Sequence, residues 1–281
     1  MIQYNREKGS GKGVAQMVDK ERLHEQDLER IKKLRIFDDD FLKEVFDGNT
    51  EATALVLNII FDRDDMIVTK VVGQREIKGI EGHSVKLDIM ATDSEGNAYD
   101  IEVQRQDKGD LPLRARYNSS MMDTVLLPEG EDYSKLIPTY VIFFTEKDTI
   151  GDNRPKHHYV MQDVETGDIL GDEKHIIFVN GENKDETTRL GQLVHDFKCT
   201  SADDMYYDVL AKRVRHFKEA EGGITQMCKL MEDMRVDVAI QSMIEAWRVV
   251  DIPESQIKEM IMAKYNLTEA EAKSYMLKKS A

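Results

Sequence analysis

The chain has 281 residues, of which 41% are hydrophobic and 33% are charged, so it is long enough to bury one large core and a smaller second one. Its formal net charge of -15 argues against nonspecific binding to nucleic acid, because an acidic surface repels phosphate. Cys199 and Cys228 are too few for a disulfide framework or a cysteine-rich zinc site, and no signal-peptide stretch or apolar run of about 18 residues occurs. We therefore expect a soluble protein of the reducing cytoplasm with no membrane partner.

The N-terminal segment is net basic, in contrast to the whole chain. Between Arg6 and Arg35 there are nine Lys or Arg residues against six Asp or Glu residues. Apolar residues at helical spacing predict a helix over residues 20–36, and we interpret residues 1 to about 18 as a flexible tail. Residues 1–35 are thus predicted to form a basic arm and helix, which is either a nucleic-acid contact or simply a solvated helix.

Two more helices are predicted before the first strand. Three Asp residues at 38–40 precede apolar residues spaced as on one helix face, and acidic side chains suit the positive N-terminal end of a helix dipole. Gly48 marks the end of this helix, and residues 51–61 indicate a second, more buried one. A β-branched run over residues 67–72 then predicts a strand.

The clearest local pattern is a β-hairpin. Side chains alternate between apolar and polar from His83 to Met90 and again from Tyr99 to Gln106, with turn-forming residues at 93–97 between them. Because side chains alternate across a strand, this hairpin brings two polar faces side by side.

Asp88 and Glu102 lie on these polar faces and can converge. Two carboxylates and one backbone carbonyl suit Mg²⁺, which prefers oxygen and keeps several waters for the reaction. Gln104 is two residues beyond Glu102, hence on the same face about 7 Å along the strand, where it can orient a water or a phosphate oxygen. Alternation alone favours a plainer interpretation, in which both carboxylates are solvated side chains on the outer face of an amphipathic hairpin.

Helix and strand patterns alternate in the next part of the chain. A helix is predicted over residues 112–127. The strand predicted at 139–145 is almost continuously apolar, which indicates burial on both faces. Shorter strands are predicted at 158–162 and 175–179.

The C-terminal part is predicted to be helical from about residue 202. Thr268 and Glu271 have the spacing of a capping box before a last short helix. We therefore divide the remainder of the chain into a core domain at 36–200 and a helical region at 201–281. The helical region would serve oligomerisation, partner choice or DNA contact, and its sequence does not distinguish these roles.

Five segments occur in a recognisable order: FDDDFLKEVF at 37–46, KLDI at 86–89, YDIEVQ at 99–104, RARYNS at 114–119 and YSKLIP at 133–138. Together they resemble the PD-(D/E)XK nuclease superfamily and, within it, the Rpn branch of recombination-promoting nucleases and transposases. The resemblance implies an α/β fold in which a restriction-endonuclease-like mixed β-sheet is flanked by helices, with a helical C-terminal region.

The resemblance also implies roles for individual residues. Asp88, Glu102 and the backbone carbonyl of Val103 would hold Mg²⁺, with Mn²⁺ as a substitute, and Gln104 would position the attacking water. The wider superfamily commonly has Lys where this branch has Gln, so this position supplies no positive charge to the transition state. Glu44, in the first core helix, is either a further metal ligand or an ordinary helix residue.

Three basic residues are candidates for contacts with DNA phosphate: Lys86, Arg114 and Arg116. The alternative is that the arginines form surface salt bridges and that the lysine neutralises nearby acids. The implied function is a metal-dependent DNA endonuclease linked to recombination or transposition. Two other functions stay open: a catalytically weak DNA-binding or protein-interaction module of a mobile element, and an RNA- or nucleotide-directed phosphodiesterase.

Overall fold

The computed structural model describes residues 10–77, 84–106 and 109–277, with residues 10–20 as backbone only. The helices are α1 (Ser10–Lys33), α2 (Asp39–Phe46), α3 (Thr50–Phe61), α4 (Leu111–Leu126), α5 (Arg189–Lys198), α6 (Asp208–Glu219), α7 (Glu221–Val249), α8 (Glu254–Tyr265) and α9 (Glu269–Leu277). The strands are β1 (Val68–Ile77), β2 (Val85–Asp93), β3 (Ala98–Gln104), β4 (Thr139–Thr145), β5 (Lys156–Tyr159) and β6 (Lys174–Asn180).

The described strands form one mixed sheet in the order β1-β2-β3-β4-β6-β5. β1, β2 and β3 are antiparallel neighbours, β4 and β6 continue the sheet in parallel with β3, and β5 pairs antiparallel with β6. Helices α2, α3 and α4 contact the strands. This mixed sheet flanked by helices, with further helices at the C-terminal end, confirms the predicted fold class.

The chain folds into two compact units. Of the described residues, one unit comprises Lys32–Glu219 and contains the sheet with α2 to α6, and the other comprises residues 10–31 and 220–277. The functional division at residues 35 and 200 stays a prediction.

The predicted hairpin is present as β2 and β3, although His83, where the predicted first strand begins, lies outside the described residues. Its turn is organised by Asp93, whose Oδ1 accepts hydrogen bonds from the backbone N–H groups of Glu95 and Asn97, both at 2.9 Å. The Tyr99 hydroxyl donates to the other carboxylate oxygen at 2.7 Å. The turn fixes the register of the two strands and so decides which side chains share a face.

Helix α2 is anchored by an aromatic core. The Phe46 ring lies 6.1 Å from that of Phe197, which stacks on Phe144 of β4 at 4.4 Å between centroids. Phe41 packs edge-on against Phe217 at 6.2 Å. Burial of each large apolar side chain stabilises the fold by about 1.5–3 kcal/mol, so these contacts fix the position of α2 and of its polar side chains.

Helix α4 packs on β4 and begins with Pro112 in its first turn, where the missing N–H is tolerated. Its buried Ala115 and Met122 join a hydrophobic cluster with Val141 and Phe143 of β4. Arg114, in the first turns of α4, donates a hydrogen bond to Gln104 at the end of β3, so the start of α4 lies near the end of that strand.

The C-terminal helices α7, α8 and α9 have a core of their own. Its fully buried residues are Ile240, Ile244, Ile257, Ile261 and Ala272. The capping box is confirmed: the Thr268 N–H donates to Glu271 Oε2 at 2.7 Å, and the Glu271 N–H donates to Thr268 Oγ1 at 3.3 Å. None of the described helices has the length and apolar character that a membrane crossing needs.

Some predicted boundaries are wrong. Of the tail predicted at residues 1 to about 18, residues 1–9 lie outside the described residues, and residues 10–18 belong to α1, which begins at Ser10. Strand β5 covers Lys156–Tyr159 instead of residues 158–162, since beyond Tyr159 the pairing with β6 ends and Gln162 forms a bridge with Ile169.

Candidate active site

A cleft of about 430 Å³ opens where α2, β2, β3 and the start of α4 meet. The residues that line it are Asp39, Lys43, Lys86, Asp88, Glu102, Val103, Gln104, Asp110 and Arg114. The fold thus gathers segments that are far apart in the sequence. Most of the residues predicted to form the site are among them.

Asp88 and Glu102 lie at the bottom of the cleft, where they are 8% and 3% exposed. The Asp88 backbone N–H donates to Glu102 Oε1 at 3.0 Å, and the Val103 N–H is hydrogen-bonded to the Asp88 carboxylate. These bonds fix both carboxylates relative to the two strands. The predicted outer-face arrangement of solvated carboxylates does not occur.

Burial and crowding disfavour the charged forms of these acids. Burial raises the pKa of Glu102, and the nearby carboxylates of Asp100 and Asp88 raise it further. Burial also raises the pKa of Asp88, although the Lys43 ammonium opposes this shift. Desolvated carboxylates that repel one another form a site that a bound cation stabilises.

Asp100 is a third acid of this group, and the sequence pattern did not single it out. It is fully buried in the strand face that also carries Glu102. Asn118 of α4 donates to its Oδ2 at 3.1 Å, while its Oδ1 receives no hydrogen bond from a described donor. Burial raises the pKa of Asp100 to about 7. The alternation along the strand places Asp100 on the same face as Glu102, but it does not predict that the Asp100 side chain is buried.

Each of the two predicted metal-binding carboxylates has a cation beside it. Lys43 Nζ lies 3.4 Å from Asp88 Oδ1, and Arg114 Nη2 lies 3.8 Å from Glu102 Oε2. The Arg114 guanidinium also lies over the Phe143 ring, 5.4 Å from its centroid. The walls of the cleft carry four acidic and three basic residues, so they are nearly balanced in charge.

Gln104 is held by both ends of its amide. Its Oε1 accepts a hydrogen bond from Arg114 Nη1, and its Nε2 donates to the carbonyl of Gln106. A carbonyl oxygen has two lone pairs, so Oε1 retains one for a water. Arg114 therefore orients the side-chain amide of Gln104, the residue that its spacing from Glu102 predicted to lie in the site.

The remaining predicted site residues are divided. Lys86 lines the cleft. Arg116 is exposed on α4 and is not among the lining residues. Glu44 lies on α2 outside the lining set, whereas Asp39 and Lys43 of the same helix are inside it. The spacing of four residues places this pair on one helix face, a signal that was present in the sequence.

A second group of metal-ligand types lies at the C-terminal end of α5. His195, Asp196 and Cys199 have ligand atoms within 4.8 Å of one another. Both carboxylate oxygens of Asp196 accept backbone N–H groups, from Tyr206 at 2.8 Å and Tyr207 at 2.9 Å. The carboxylate therefore holds the chain that leads into α6.

Comparison with known proteins gives one family match. A family model described as PD-(D/E)XK nuclease family transposase matches residues 36–197, which is more than half of the chain and includes every residue that lines the cleft. No curated protein and no solved structure matches the chain significantly.

Proposed function

Since the chain belongs to the PD-(D/E)XK nuclease family transposases, which indicates a hydrolase of nucleic acid with a function in transposition, we propose that it is a metal-dependent DNA endonuclease. The observation that supports this best is the pair of nearly buried carboxylates of Asp88 and Glu102, which the hydrogen bond from the Asp88 backbone N–H to Glu102 Oε1 holds together at the bottom of a cleft that also contains three basic side chains.

The donor set fits a hard divalent cation. Asp88, Glu102 and the Val103 carbonyl would hold Mg²⁺ or Mn²⁺, because all three offer oxygen and the two acids are desolvated. When bound, such an ion polarises a phosphate and lowers the pKa of a water. The Asp100 carboxyl, buried beside Glu102, raises the pKa of Glu102 when it is charged, and a cation bound at this place would stabilise the charged forms of both acids.

The other residues of the cleft position water and substrate. Gln104, oriented by Arg114, accepts a hydrogen bond from the attacking water. This bond directs a lone pair of the water oxygen at phosphorus. Lys86 and Arg114 contact the phosphate of the scissile bond, and exposed Arg116 contacts the backbone further along the DNA.

The charge of the cleft supports a role for the metal in substrate binding. With all side chains in their ordinary charged forms, four acids against three bases leave the cleft slightly negative, in a chain of net charge -15. A divalent cation reverses the sign of the cleft, so phosphate is then attracted. The same electrostatics predict that DNA binds poorly in a chelator.

Nicking of a supercoiled plasmid in Mg²⁺ or Mn²⁺ tests this function. Asp88→Ala and Glu102→Ala should each lower the rate about 100-fold or more, because each removes a metal ligand. Glu95→Ala, on the turn of the same hairpin, is the matched control and should leave the rate unchanged. Absence of nicking by the wild type, or nicking that survives both substitutions, would contradict the assignment.

A second function is favoured by Gln104, which lacks the positive charge of a lysine, and by the acidic chain. In it the protein binds DNA or another protein of a mobile element without efficient cleavage. Gel-shift experiments in Ca²⁺ separate the two, since a binding module would retain DNA but show no nicking in Mg²⁺.

Competition by RNA in the nicking assay tests the third candidate, an RNA-directed phosphodiesterase. Oligomerisation through the C-terminal helical region is a further expectation, which light scattering measures directly.

A further inference from the structure

The cleft contains a lysine that the sequence pattern did not identify. Lys43 Nζ lies 3.4 Å from Asp88 Oδ1 and 3.6 Å from Asp40 Oδ1. We propose that Lys43 supplies the positive charge that Gln104 lacks: it neutralises Asp88 in the metal-free protein and contacts the substrate phosphate when a divalent cation is bound. The inference rests on the nuclease function proposed above.

The fold holds Lys43 in this place. Its neighbours Leu42 and Val45 are fully buried, and the aromatic core fixes α2 against the sheet. Asp39, one helical turn before Lys43, lines the same cleft. The face of α2 that carries these two residues is therefore directed at the metal-ligand candidates, while its apolar residues Phe41, Leu42, Val45 and Phe46 are buried.

The other two cations of the cleft are placed differently. Arg114 is engaged with Gln104 and Glu102, and its guanidinium lies over the Phe143 ring. Lys86 is exposed, so water screens its charge. The Lys43 side chain is 15% exposed, and its charge is screened less.

A lysine beside a metal-binding carboxylate has opposite effects on metal and substrate. Its charge would repel a divalent cation held at Asp88 and would attract a substrate phosphate. The flexible four-carbon stem of Lys43 lets the ammonium move from the carboxylate to the phosphate. Loss of this charge should therefore tighten metal binding and slow cleavage, a combination that a lysine with only a structural role would not give.

Three variants test this in the full chain. Lys43→Met removes the charge and keeps an apolar stem, Lys43→Arg keeps the charge, and Lys70→Met on the exposed face of β1 is the control. Calorimetric titration with Mn²⁺ alone should show at least about 3-fold tighter binding to Lys43→Met. Plasmid nicking at saturating Mn²⁺ should be about 100- to 1,000-fold slower for Lys43→Met, with partial recovery in Lys43→Arg.

The outcomes separate this role from the nuclease function itself. If Lys43→Met nicks at the wild-type rate, or if it binds Mn²⁺ more weakly than the wild type, the role of Lys43 is overturned and the nuclease function is not. A wild type that binds Mn²⁺ but never nicks would overturn the nuclease function and the role of Lys43 with it. Circular dichroism melting checks the folding of each variant, and Lys43→Gln replaces the methionine variant in both assays if that variant unfolds.

Discussion

Asp100 makes the stability of the metal-free protein depend on pH. Its carboxyl is fully buried, and burial raises its pKa from 3.8 to about 7. In the unfolded chain the same group has an ordinary pKa near 4. Between these values the folded state holds a proton that the unfolded state has released, so stability is highest at low pH and falls as pH rises. Asp100→Asn removes this titration and keeps the shape of the side chain.

The size of the effect follows from the two pKa values. One proton difference changes the free energy of unfolding by about 1.4 kcal/mol for each pH unit. Asp100 is therefore expected to lower stability by about 2 kcal/mol between pH 5.5 and pH 8, with no further loss well above pH 7. The raised pKa values of Glu102 and Asp88 act in the same direction.

Urea unfolding in the presence of a chelator measures this. The wild type should lose stability between pH 5.5 and pH 8, and Asp100→Asn should lose about 2 kcal/mol less over the same range. Asp172→Asn, an exposed acid of the same compact unit, is the control and should follow the wild type. Parallel pH profiles for the wild type and Asp100→Asn would refute the reasoning.

Three further predictions concern the site and its support. Arg114→Lys loses the forked contact to Gln104 and Glu102, so nicking should slow by about 10-fold or more at saturating DNA, and an unchanged maximal rate would exclude the orienting role. Phe197→Ala removes the ring that packs on Phe144 and should lower the free energy of unfolding by about 3–5 kcal/mol in urea, whereas a loss below 1 kcal/mol would contradict the aromatic anchoring of α2. Added Mn²⁺ should raise the melting temperature more at pH 8 than at pH 5.5, because protons compete for the ligands, and equal shifts at both pH values would argue against buried carboxylates as the binding site.

Local patterns carried enough information for the hairpin. Alternation over two short segments and the turn around Asp93 specify antiparallel pairing, and this places Asp88 and Glu102 on neighbouring strands. The resemblance of five ordered segments gave the family, which the match over residues 36–197 confirms. The hairpin signal depends on residues that are close in sequence, and the family signal depends on the order of the five segments along the chain.

The cations and the buried acid of the site needed the tertiary structure. Lys43 reaches Asp88 only because α2 docks on the sheet through its aromatic face. Asp100 and its partner Asn118 come from β3 and α4, and alternation along a strand does not tell a buried polar side chain from a solvated one. The contact of Arg114 with Gln104 likewise depends on where α4 begins.

A crystal structure of the full chain soaked with Mn²⁺, with the ion located by its anomalous scattering, tests the central claim most directly. The account predicts one ion within about 2.0–2.6 Å of oxygens from both Asp88 and Glu102. No ion in the cleft at millimolar Mn²⁺, or an ion held by His195 and Cys199 at the end of α5 instead, would contradict it.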